Sequence, residues 1–119
     1  MKDISTVSVD FHVKRYSDFD LLRIARAVGQ GYEDEVTAFL VNVQIHACSA
    51  VGVVYGHARQ GPYGRFSDGQ LIRTSDIQKV EREGRFWVIT TDKSRYVVAT
   101  FNRDNGRRSL REFKRLAGG

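Results

Sequence analysis

Residues 4–13 alternate, with Val7, Val9, Phe11 and Val13 on one side and Ser8, Asp10 and His12 on the other. A period of two predicts a half-buried strand. The period then changes. Ser17 is an N-cap candidate, Asp18 and Asp20 follow in a first turn, and Gly29 and Gly31 stop the pattern. Leu21, Ile24, Ala25 and Val28 form the apolar stripe of the predicted helix, with Arg23 and Arg26 pointing elsewhere. From Thr37 the period of two returns, placing Phe39, Val41, Val43, Ile45 and Ala47 on one face. A helix over 34–47 is also open, because Glu33-Asp34-Glu35 would make an acidic first turn. Strict alternation and β-branched residues favour strand. Gly52, inside SAVGVVYG, marks a bulge or bend in a long strand, or a turn between two strands.

Residues 56–69 (GHARQGPYGRFSDG) are irregular, with four glycines and the only proline of the chain. Strands are expected next at 70–75, 77–82, 85–91 and 95–101, with turns at Glu83-Gly84 and Asp92-Lys93-Ser94. This is an antiparallel meander. After a turn at 102–106, Ser109 is expected to cap a short helix with Leu110, Phe113 and Leu116 inward. The expected fold is a single α+β domain over 1–119 with a mostly antiparallel sheet, curled towards a small barrel, and a basic C-terminal helix.

Charge sharpens the picture. Residues 1–58 carry five basic and seven acidic side chains; residues 59–119 carry fourteen and seven. The whole excess of +5 therefore lies in the second half. Arginine among glycines and aromatics suits phosphate, RNA or an acidic protein surface. A hydrophobic content of 41% argues against disorder. The lone Cys48 suits a reducing compartment, and the chain shows neither a leader-length nor a membrane-length apolar run. A soluble cytoplasmic protein is the expectation.

Two clusters are candidate binding elements. The first is the glycine-rich loop with Tyr55, His57, Arg59, Tyr63, Arg65 and Phe66. Its glycines let backbone approach a phosphate, arginine forks onto it, and aromatics stack on bases. The competing reading is a hairpin connection whose glycines serve turn geometry. The second cluster is Arg103, Arg107, Arg108, Arg111, Lys114 and Arg115, joined from the meander by Arg73. These side chains can track a nucleic-acid backbone, or they can complement the negative end of the last helix. No strand–GxxxxGK[ST]–helix loop, GxSxG elbow, CxxC or HxxxH pair is present, so no cofactor or metal is expected. His46 and Cys48 would share a strand face, a weak start for a zinc site. The chain reads as a non-enzymatic interaction protein.

Over residues 52–98 the pattern resembles a small β-rich module of phage and prophage accessory proteins. The elements are Tyr55-Gly56; Arg65-Phe66-Ser67-Asp68-Gly69 with Ile72, Thr74 and Ser75; and Thr91, Ser94 and Tyr96. The resemblance implies an inhibitor of host defence, anti-CRISPR-like, acting on a nucleoprotein complex. It carries over no site residue. The alternative is a sequence-tolerant DNA- or RNA-binding module.

Overall fold

The computed structural model describes residues 16–61 and 66–118. The strand expected over 4–13 lies outside these, as do Tyr63 and Arg65 of the loop. Within them the order is α1 (Asp18–Gly29), β1 (Ala38–His46), β2 (Ser49–Tyr55), β3 (Leu71–Arg73), β4 (Lys79–Glu83), β5 (Phe86–Thr90), β6 (Arg95–Val98) and α2 (Gly106–Gly118).

The strands form one sheet in the order β3-β2-β1-β6-β5-β4. The meander β4-β5-β6 is antiparallel, as expected, but β3, expected as its first strand, pairs instead with β2. β1 and β2 form an antiparallel hairpin that turns at Ala47-Cys48, where the alternation predicts continued strand. The expected antiparallel character is interrupted once. β6 enters beside β1 in parallel, pairing Ala38 with Tyr96 and Leu40 with Val98, so the sheet is mixed. The sheet also curls. Only residues 74–78 join β3 to β4, at opposite edges of six strands. Six residue steps reach about 20 Å, whereas a flat sheet would separate its edge strands by about 24 Å. Ile77 of this connection packs with the cluster on the face that α2 covers.

Strand, not helix, is correct for 38–46, but its alternation breaks midway. Val41 pairs with Val53 and Gln44 with Val51, leaving Asn42 and Val43 opposite the single residue Gly52. Asn42 takes φ 58°, a left-handed value that asparagine tolerates. Gly52 is therefore neither a turn nor itself the bulge: it is the partner that lets β1 bulge. A Cβ there would lie 2.9 Å from Val43 Cγ2 and 3.0 Å from the Val41 carbonyl. The extra residue splits the expected one-sided set. Leu40, Val43 and Ile45 face α2 with Val54, Ile89 and Leu110; Val41 faces α1 with Phe86, Val88 and Val97. Each fully buried valine or leucine contributes about 1.5–3 kcal/mol, so both faces add stability. One helix covers each.

α1 starts as expected. Ser17 Oγ accepts from the Asp20 amide at 3.0 Å, and Asp20 returns the contact to the Ser17 amide. Its buried residues are Ile24 and Ala27; Leu21, Ala25 and Val28 of the expected stripe are exposed. α2 begins three residues before the expected cap. The Asn102 side chain accepts from the Asp104 and Asn105 amides and sets the turn. Ser109 sits inside the helix, where its hydroxyl donates to the Gly106 carbonyl and accepts from the Ile45 amide. Leu110 is buried and Phe113 half-buried, but Leu116 is exposed.

Candidate polyanion-binding groove

The described part of the glycine-rich loop packs on the protein. His57 is buried and stacked flat on Phe66, with centroids 4.1 Å apart, and its edge approaches Tyr96. Nδ1 accepts from the Arg59 amide, so the proton of the neutral ring is on Nε2, which has no hydrogen-bond partner among the described residues. The Arg59 guanidinium donates to Ser94 Oγ, and Tyr55 packs edge-on against Tyr16. Gly56, at φ 65°, is tied to Asp68 through its amide. His57 and Phe66, expected as contact residues, are engaged in this packing.

Burial, with a smaller contribution from the Arg59 charge, holds the His57 pKa below its ordinary 6.5. The unfolded chain thus takes up the proton more readily than the folded one. Neutral His57 contributes its full stability above pH 6.5, and that contribution is lost as pH falls towards the depressed folded value. Melting curves at pH 7.5 and pH 5 should therefore show a larger acid-induced drop in Tm for the natural protein than for H57Q. Equal drops would show that His57 is not the coupled group.

The basic residues gather elsewhere. The bulge in β1 meets the chain leaving β6: the Asn42 amide donates to Thr100 Oγ1, and the Val43 amide to the Thr100 carbonyl. Over this floor the first turns of both helices converge. A cavity of about 730 Å³ is lined by Phe19, Asp20 and Arg23 of α1, by Asn42, by residues 99–104, and by Arg107, Arg108 and Arg111 of α2. A second cavity of about 340 Å³ adjoins it. It shares Arg23, Phe101 and Arg107 and adds Arg82, Arg85, Phe86, Trp87 and Val98. Among the described residues, seven arginines and two aspartates line the pair. That local excess of five positive charges equals the net charge of the whole chain.

None of the seven arginines forms an ion pair among the described residues. Asp20 does not serve them: one oxygen accepts from the Ser17 amide and the other from Thr100 Oγ1. Three of the guanidiniums, those of Arg23, Arg82 and Arg107, are held over rings instead. Arg23 lies 4.6 Å from the Phe86 centroid and donates from Nε to the Ala99 carbonyl at 3.0 Å. Arg107 lies 4.7 Å from the Phe101 centroid, and Arg82 and Lys114 approach Trp87. Stacking fixes a guanidinium in position while its N–H edge stays able to donate. Burial lowers the Arg23 pKa, and repulsion from Arg107, Arg26, Arg85 and Arg82 lowers it further.

The expected site is therefore brought together only in part. Arg107, Arg108 and Arg111 line the groove. Arg73 stands exposed on the edge strand β3 and lines neither cavity, and neither do Tyr55, His57, Arg59 or Phe66. Arg115 pairs with Glu112 on the outer side of α2. Complementing a helix C-terminus explains Arg115, in the last turn, but not Arg107 and Arg108, which crowd the positive end of a helix with no acidic residue in its first turn. Arg23, Arg82 and Arg85 were not singled out by the sequence. The available signal was arginine next to aromatic, as in Arg85-Phe86-Trp87, and arginines on both sides of the Gly84 turn.

His46 ends β1 while Cys48 lies exposed in the hairpin turn, so the two do not share a strand face. Among the described residues no group of three or more His, Cys, Asp or Glu is placed to hold a metal ion. No helix there is long and apolar enough to cross a membrane.

No family model, curated protein or solved structure matches the chain. The elements behind the phage-protein resemblance have local structural duties. Thr91 and Ser94 close the β5–β6 turn, Thr74 Oγ1 accepts from the Ala50 amide, and Tyr96 is buried in the core.

Proposed function

We propose that the protein is a non-enzymatic module that binds the phosphate backbone of a nucleic acid in the groove formed by the first turns of α1 and α2. One observation carries this reading: seven arginines line one continuous groove and, among the described residues, no carboxylate pairs with them. A face built only for solvation would intersperse opposite charges, as β4 does with Lys79 and Glu81. Clustered like charges cost stability unless an anion fills the space between them. The groove also exceeds what one phosphate needs. A single anion is satisfied by two or three arginines, whereas a track running from Arg111 through Arg107 and Arg23 to Arg85 suits a chain of phosphates.

The inhibitor role implied by the resemblance would use the same groove against the nucleic-acid component of a host nucleoprotein. Within the resembling residues 52–98, Arg82, Arg85 and Trp87 reach the groove.

A salt titration tests the proposal. If about five phosphates are neutralised, log K should fall with log salt with a slope of about −3.5 on single strands and about −4.5 on duplex. A slope near zero, or no binding at low salt, would overturn it.

A further inference from the structure

We infer that the groove takes single-stranded rather than double-stranded nucleic acid, with one unpaired base stacked on Phe19; this rests on the polyanion reading above. Phe19 stands in the first turn of α1, on the rim of the larger cavity, and 63% of it is exposed. The other aromatics of the groove are committed. Phe101 lies under Arg107, Phe86 under Arg23, and Trp87 under Arg82 and Lys114. Phe19 is two positions past the N-cap, so it is not the staple residue that closes a helix start. A large apolar ring left in water at the mouth of a basic groove suits an amphipathic ligand whose flat apolar part lies within reach of its negative charges. A nucleotide has that form. In a duplex the base faces are stacked on one another, so an exposed ring gains nothing from them. In a single strand each base offers a free face close to its own phosphate. Ring stacking reads no base edge, so the binding is tolerant of sequence.

The test is fluorescence anisotropy with labelled oligothymidylate of about twelve nucleotides and with a duplex of the same length, within the usual site sizes for single-strand binders. Phe19→Ala leaves a good helix former at an exposed position, so the fold is preserved. The natural protein should prefer the single strand. F19A should lose about 5- to 150-fold on the single strand, the range set by one stacked base, and stay within twofold on the duplex. F19W should retain single-strand affinity. Unchanged single-strand affinity in F19A, with binding still lost on replacing Arg107 and Arg108, would overturn this inference and leave the polyanion groove standing. Absence of binding to either oligonucleotide by the natural protein would overturn both.

Discussion

Replacing Arg107, Arg108 and Arg111 together by glutamine is expected to weaken nucleic-acid binding about 100-fold at 0.15 M salt, because each phosphate contact contributes about 0.8 to the salt slope. The same variant should flatten the slope by about 2 to 3. The protein should not lose stability. Two of the three arginines lie in the first turn of α2, where positive charge opposes the helix dipole. Removing it is worth about 0.3–1 kcal/mol per residue, which offsets the lost stacking of Arg107 on Phe101. Arg108→Glu makes the separation sharper: it should raise Tm while lowering affinity. Charge retained at a stability cost marks a site selected for binding. Paired anisotropy and melting measurements on these variants give the answer, and equal affinity with unchanged slope would remove α2 from the site.

The second large effect concerns the backbone that places those arginines. Gly106→Ala should destabilise the protein by about 3 kcal/mol, at the upper end of overpacking costs. A Cβ at Gly106 would lie 2.5 Å from the Val43 carbonyl oxygen and 2.6 Å from Phe101 Cβ. Neither can move cheaply: Val43 belongs to the bulge of β1 and accepts from the Asn102 amide, while Phe101 forms the groove floor. The strain is relieved only if the start of α2 withdraws from the sheet, so G106A should also weaken binding in the fraction that remains folded. Gly29→Ala is the control. Nothing lies within 4 Å of that Cβ, and the change should be neutral or slightly stabilising. Urea midpoints for the two variants measure this, and similar midpoints would show that the packing of α2 on the β1 bulge is loose.

Local grammar was legible in the sequence. The Ser17 N-cap, the alternating strands, the Gly84 turn and a basic last helix each depend on residues a few positions apart. Three features depend on distant partners and were not. Parallel pairing of β6 with β1 joins residues about sixty positions apart, and no local period encodes it. The bulge at Asn42 is specified jointly by Gly52 and Thr100, so the simple alternation assigned Val41 and Val43 to one face when they lie on opposite faces. The groove needs α1, the meander and α2 together. Arg107, Arg108 and Arg111 could be named from their density, but Arg23 was placed on a polar helix face, where its stacking on Phe86 is invisible. The glycines and aromatics of 56–69 read as a binding loop, but in its described part His57 and Phe66 are packed on each other.

The most direct test of the central claim is where a bound oligonucleotide perturbs the amide resonances of the isotope-labelled protein. The account predicts shifts concentrated at residues 19–23, 82–87 and 99–111, which line the groove. Shifts concentrated instead at 55–60 and along β3 near Arg73 would contradict it and return the binding surface to the glycine-rich loop.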